Sequence, residues 1–376
     1  MKTWGWCLLI LLVILAGVVG YYCWNCCKKE VKTSTTVASN ESLQQTVDEI
    51  ADEIVVKWAE PTDYYITELN ENVERESVLY KNRYGMYIAW DLYTPKAMDK
   101  SQKYPAIIVW APYGWVKEQW PAVYANELAQ RGFVVLTFDQ SFMGESEWEP
   151  RHVSSPDIFV ENFSAWVDFL WLQDFVDRDK IWVIGICGSA WFAISAAQVD
   201  TRIKAIATTS MYDISSARVN MGITWEALEN MKNMLSQQRW VDAENWYPQY
   251  NPSFPIEAYE DEEHLPETDA LTNEWNRFYA VPRWHHPNAR WGFTDTSMLS
   301  FMNFDLLNYI KEISPRPILF IAWDIAHSRA FSETAYEAAW DAKELYLVEW
   351  AEHIDLYDDV TKIPFDKLES FFNENL

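Results

Sequence analysis

Ile181-Trp182-Val183-Ile184-Gly185-Ile186-Cys187-Gly188-Ser189-Ala190 is the stretch whose reading decides the fold. A run that is apolar at every position suits a strand covered on both faces. Ala190–Gln198 then reads as a helix. Between them lies a sharp strand-to-helix turn with Cys187 at its apex. Small residues flank such an apex because the backbone is strained there and the helix passes close to the strand. The turn aims one side chain off the carboxyl edge of a sheet, beside a helix N-terminus that favours an anion. A thiolate is the reactive form of cysteine, and its pKa falls near a helix N-terminus and a histidine. Cys187 is therefore the candidate nucleophile. Ser189, two positions into the helix, reads as a capping or packing hydroxyl.

The same rhythm extends outward. Glu76–Tyr80 and Met86–Tyr93 read as an opening hairpin turned at Asn82-Arg83-Tyr84-Gly85. Apolar runs follow at Ala106–Val109, Phe133–Phe138, Ile203–Ala207, Pro317–Ala322 and Glu344–Val348, with helices expected at 120–130 and 157–172. Repeated strand–helix–strand units with fully apolar strands predict an α/β fold. Its mostly parallel, eight-stranded sheet carries helices on both faces. Residues 214–312 break the rhythm with aromatics, acids and prolines, and read as a lid-like insertion within a domain spanning 73–376.

The 376 residues hold 30 Lys+Arg against 56 Asp+Glu, a formal charge of −26. A nucleic-acid-binding face must be basic, so no nucleic-acid partner is expected. Trp4–Trp24 carries no charge around Leu8–Leu15, and about 20 apolar residues span a bilayer. Residues 1–27 thus read as a transmembrane anchor or a signal segment, which would tether the domain to a membrane on its extracytoplasmic side. If cleaved, the segment would release a secreted protein. Residues 28–72 read as a polar, acidic stalk with one short amphipathic helix at Val47–Ile54. Cys7, Cys23, Cys26 and Cys27 cluster in or beside the apolar segment, leaving Cys187 alone downstream. One thiol builds no disulfide framework, and Cys23-x-x-Cys26 has no second pair for zinc.

A nucleophile needs a base. Of six histidines, His353 alone follows the last expected strand and becomes the candidate base. His285 and His286, inside the insertion, read as pocket-lining or loop-capping. His327 borders the site, and His152 and His264 read as solvated. The residue that orients the imidazole should come from the end of a preceding strand. Asp324 is the first choice and Asp213 the alternative acid. An oxyanion hole takes one N–H from Gly188 and one from the loop Ala111-Pro112-Tyr113-Gly114, at Tyr113 or Gly114.

Together these residues resemble the α/β-hydrolase superfamily, in its dienelactone-hydrolase-like and X-prolyl-peptidase-like bacterial branch, over about residues 75–376. The resemblance also rests on Phe138-Asp139-Gln140-Ser141-Phe142-Met143-Gly144-Glu145-Ser146, Met211-Tyr212-Asp213 and His353-Ile354-Asp355-Leu356-Tyr357. It implies cleavage of an ester, lactone or related acyl bond in a small-molecule substrate through a Cys-His-Asp triad, without metal or organic cofactor. A peptidase of the same fold and an inactive, membrane-tethered binding protein are the alternatives. Where the superfamily carries its usual acid, two positions beyond Asp324, this chain has Ala326.

One composition is abnormal. Average usage near ~7% would give roughly 26 glycines in this length, yet there are 11, beside 22 tryptophans. Trp90, Trp110, Trp115, Trp120, Trp148, Trp182, Trp191, Trp291, Trp323 and Trp350 stand where relatives in this branch typically carry glycine. The pattern predicts tryptophans written at positions that the fold wants as glycine. A UGA codon read as glycine in the source, and translated here as tryptophan, would produce it.

Overall fold

A computed structural model of the chain describes residues 56–57, 64–214, 224–252, 257–267, 276–289, 291–305, 307–326, 328–350 and 353–375. The chain divides into two compact units, Met1–Asp52 and Glu53–Leu376, and every described residue belongs to the second. The apolar stretch Trp4–Trp24, its neighbouring cysteines, the helix read over Val47–Ile54 and His327 lie outside the described residues. No described helix is long and apolar enough to cross a membrane.

The sheet contains the eight expected strands and a two-residue ninth. In chain order they are β1 (Val56–Lys57), β2 (Val73–Lys81), β3 (Tyr87–Pro95), β4 (Tyr104–Trp110), β5 (Val134–Phe138), β6 (Val176–Ile186), β7 (Ala205–Thr209), β8 (Ile318–Trp323) and β9 (Lys343–Val348). Their spatial order is β1-β2-β3-β5-β4-β6-β7-β8-β9. β1, β2, β3 and β5 pair antiparallel in succession, and every later pair is parallel. Lys57 pairs with Val78, and Tyr65 and Ile66 pack on the core. The sheet thus takes in residues whose polar surroundings read as stalk.

The helices are α1 (Trp120–Gln130), α2 (Pro156–Leu172), α3 (Gly188–Val199), α4 (Trp225–Asn245), α5 (Arg329–Ala338) and α6 (Phe365–Glu374). Strand alternation shows that both faces are covered. Ile107 and Trp110, three apart on β4, point to opposite faces. Trp110 meets Phe159 and Phe163 of α2 and Phe192 of α3. Trp182, in register with Ile107, stacks on Phe372 of α6. The central strands are buried at every residue of β5, β7 and β8, which is why their sequences show no polar alternation.

Between β7 and β8 the insertion carries α4, none of whose described side chains is buried. Behind it, Phe278, Tyr279, Trp284, Phe293 and Phe301 are buried and roof the carboxyl edge of the sheet.

The ten singled-out tryptophans fall into two groups. Trp90, Trp110, Trp115, Trp120, Trp182, Trp191 and Trp323 are among the largest fully buried side chains. The indole N–H groups of Trp90, Trp110, Trp120, Trp182 and Trp191 find no partner, whereas that of Trp323 donates to Ser210 Oγ at 2.9 Å. Trp148, Trp291 and Trp350 have φ of 92°, 57° and 58°, the left-handed region that costs an L-residue about 1–2 kcal/mol. Trp246, outside the original ten, closes α4 at φ 56° and ψ 20°, where helices commonly end on glycine.

Candidate active site

β6 ends at Ile186 and α3 begins at Gly188, leaving Cys187 alone in the turn at φ 55° and ψ −122°. A non-glycine residue held there stores about 1–3 kcal/mol. Its N–H donates to Thr209 O at 2.8 Å and its carbonyl accepts from Tyr212 N at 3.0 Å, so the end of β7 clamps the apex. The flanking glycines are required by close approach. A Cβ on Gly185 would lie 2.4 Å from Ala190 Cα, and one on Gly188 would lie 2.7 Å from Tyr113 Cβ. Ser189 is the packing hydroxyl that its position suggested. It accepts from Ile186 N at 2.7 Å and donates to Trp110 O at 2.8 Å, tying β4 to the turn.

The fold brings His353, on the loop after β9, against this apex. His353 Nε2 lies 3.3 Å from Cys187 Sγ and 2.8 Å from the Tyr357 hydroxyl. Nδ1 lies 2.5 Å from Ser328 Oγ. Ser210 Oγ donates to His353 O at 2.9 Å, which anchors the loop to the end of β7. All these groups are buried, the thiol being only 7% exposed. Burial pushes the Cys187 thiol up to about 11, against the hydrogen bonds from Tyr357 and the Gly188 N–H that favour the thiolate. At neutral pH the resting sulfur is thus a neutral thiol.

Asp324 does not reach that imidazole. Its Oδ1 accepts from Trp350 N at 3.0 Å and its carbonyl from Arg329 at 3.1 Å, so it braces the ends of β8 and β9. The hydroxyl of Ser328, just before α5, stands at Nδ1 where a carboxylate was expected. Asp213 is buried in the loop after β7. Tyr113 and Gly114 form a turn closed by Trp115 N to Pro112 O at 3.1 Å. Gly114 has φ 90°, and a Cβ there would meet Trp291 at 3.1 Å. The Tyr113 ring stacks on Phe293 with centroids 4.4 Å apart. This loop therefore abuts Gly188, the arrangement an oxyanion hole requires.

Three other described histidines have partners of their own. His286 caps a turn, taking Asn288 N on Nδ1 at 3.1 Å and facing Tyr64 O through Nε2 at 3.2 Å. His264 is exposed and pairs with Asp261 at 2.7 Å. His152 Nδ1 meets Trp291 O at 2.8 Å.

Sequence reasoning missed Ser328, Tyr357 and a buried charge cluster behind the Tyr113 loop. Tyr357 carried a signal, because its spacing of four from His353 puts both on one face of a helical turn. Lys117, fully buried, contacts Glu118 and lies 2.6 Å from Glu145, 3.8 Å from Asp139 and 4.0 Å from Asp91. Burial opposes its charge, yet Asp91, Asp139 and Glu118 hold the ammonium well above its usual range. Glu118, Asp139 and Glu145 offer oxygens within 4.8 Å of one another, spacing that would suit a metal. The ammonium already stands among them, so this donor set calls for no ion. Lys117 N donates to Asp139 Oδ1 at 2.8 Å, which pins the loop that follows β4 to the loop after β5.

No family model matches the chain. It is 46% identical to the uncharacterized protein PA2218 of Pseudomonas aeruginosa over 314 residues, 82% of each chain. The crystal structure of PA2218 superposes with a TM-score of 0.79, covering 84% of this chain and 99% of that one. The thiohydrolase aneE of Aspergillus aculeatus is 24% identical over 217 residues, 57% of this chain and 67% of that one. The α/β hydrolase GrgF from Penicillium sp. sh18 shares the fold at a TM-score of 0.65 and 19% identity, covering 80% of this chain and 99% of that one. A relative of 46% identity across most of both chains places the protein in the family of PA2218, and this strand order, shared with the hydrolase GrgF, is the α/β-hydrolase fold.

Proposed function

We propose that the protein cleaves acyl bonds, thioesters or esters of small molecules, with Cys187 as nucleophile and His353 as base. The observation that carries this reading is the 3.3 Å approach of His353 Nε2 to a thiol held at a left-handed strand-to-helix apex. His353 takes the thiol proton, and the thiolate attacks the substrate carbonyl carbon. The oxyanion is held by the N–H groups of Gly188 and Tyr113. The imidazolium returns its proton to the leaving alkoxide or thiolate, leaving an acyl-cysteine. His353 then deprotonates water, which attacks that intermediate and frees the acid and the thiol. Similarity to a thiohydrolase supports thioesters as the first class to assay.

The test follows hydrolysis of short acyl thioesters, acyl esters and a proline-containing peptide by the wild type and Cys187→Ala. Thioester or ester turnover should fall on the order of 10³-fold or more in the variant. Undiminished turnover would remove Cys187 from the mechanism. Peptide cleavage without ester cleavage would favour a peptidase, and inertness of the wild type towards all three would favour a binding scaffold.

A further inference from the structure

Cys187 Sγ and the Tyr357 oxygen both lie within hydrogen-bond reach of His353 Nε2, at 3.3 and 2.8 Å. As a hydrogen-bond donor the Tyr357 hydroxyl favours the Cys187 thiolate against burial. Its ring is fully buried and fixed against His353, Trp120 and Phe278, with centroids 5.5, 5.0 and 5.8 Å away. The phenol has one hydrogen and two acceptors within reach. While Cys187 is a thiol, Nε2 is the better acceptor. Once the thiol proton reaches Nε2, that nitrogen no longer accepts and the anionic sulfur does. Hydrogen bonds to an ionised acceptor are roughly twice as strong as neutral ones.

We propose that Tyr357 is a catalytic residue whose hydroxyl hydrogen turns from His353 Nε2 to Cys187 Sγ as the thiol proton crosses the other way. The O–H bond of Tyr357 stays intact throughout, and the only proton transferred runs from sulfur to nitrogen. The inference rests on the reading of Cys187 as nucleophile. It answers a need visible in the site: burial opposes the thiolate, while Nδ1 of the base is engaged with the hydroxyl of Ser328. The titratable groups around the pair are Tyr357 itself, Tyr279 from the insertion beside it, and Tyr212 from the loop after β7.

The experiment measures the rate of iodoacetamide alkylation of Cys187 against pH in the full chain, following the peptide that carries this residue by mass spectrometry. In Tyr357→Phe the apparent thiol pKa should rise by about one unit, slowing alkylation about ten-fold below it. Tyr357 replaced site-specifically by 3-fluorotyrosine keeps the shape and donates more strongly, so it should lower the thiol pKa and speed alkylation. This second arm holds even if Tyr357→Phe fails to fold. An unshifted or lowered thiol pKa in Tyr357→Phe, or an unshifted or raised one with fluorotyrosine, overturns the role of the phenol. A wild-type Cys187 that resists alkylation while Cys187→Ala still turns over substrate overturns the nucleophile reading itself, and this inference with it.

Discussion

Replacing Trp350 and Trp246 by glycine, and in parallel by alanine, separates backbone strain from the effect of an exposed indole. Both positions are left-handed, at φ 58° and 56°, and both side chains project into solvent, 81% and 93% exposed. Little packing is therefore lost on truncation. Alanine retains the Cβ that makes this conformation unfavourable for an L-residue, and glycine removes it. The strain relieved is about 1–2 kcal/mol per site, offset by roughly 0.5–1 kcal/mol for the freer unfolded chain that glycine brings. The net gain is on the order of 0.5–1 kcal/mol at each position for glycine and near zero for alanine. Urea unfolding followed by circular dichroism reads the difference, with the double glycine variant about 1–2 kcal/mol above the double alanine variant. At Trp291 the gain should be smaller, because its ring contacts Tyr113 and Phe293 with centroids 5.5 and 5.4 Å away. If alanine stabilises as much as glycine, or neither does, conformational strain is not what these tryptophans impose.

The gene offers an independent check on the same idea: the ten singled-out tryptophans should be encoded by UGA, and ordinary tryptophan triplets there would end it. His286 should make stability pH-dependent. Burial, aided by the Lys117 charge, lowers its pKa from 6.5 to about 3. The unfolded chain therefore binds a proton that the folded chain refuses as pH falls below 6.5. Stability is retained above that pH and lost toward pH 3 at up to ~1.4 kcal/mol per unit. His286→Gln should flatten the loss between pH 7 and 5 in urea titrations, and an unchanged slope would assign it elsewhere. At the site, Asp324→Asn should leave turnover within about three-fold, since the amide oxygen can still accept from Trp350 N, while Ser328→Ala, losing the Nδ1 partner, should lower it about ten-fold. A collapse with Asp324→Asn alone would identify that carboxylate as the missing acid.

Much of this architecture was legible along the chain. Strands buried on both faces announce themselves as unbroken apolar runs, because each side chain of β5, β7 and β8 meets other protein. The turn at Cys187 is equally local: Gly185 and Gly188 are small because backbone atoms and Tyr113 stand where a side chain would go. The approach of His353 to the thiol could be read as well, since chain order after the last strand puts it near the carboxyl edge. Ser328 left no comparable signal, being one hydroxyl among many just ahead of a helix. Lys117 and its four acids left no signal either, because nothing in Val116-Lys117-Glu118 says that β3 and the loop after β5 close over it.

What the sequence by itself determined is therefore the set of elements, their order, and the thiol and imidazole that face each other across the sheet edge. These follow from periodicity and from turns of a few residues, where sterics acts between near neighbours. Only the tertiary structure decided which group meets Nδ1, that a phenol joins the sulfur and the nitrogen, and that Asp324 braces the β8–β9 ends. Each of those contacts joins segments far apart in sequence, and a hydrogen bond is made or lost over a few tenths of an ångström that only the packing of the whole sheet sets.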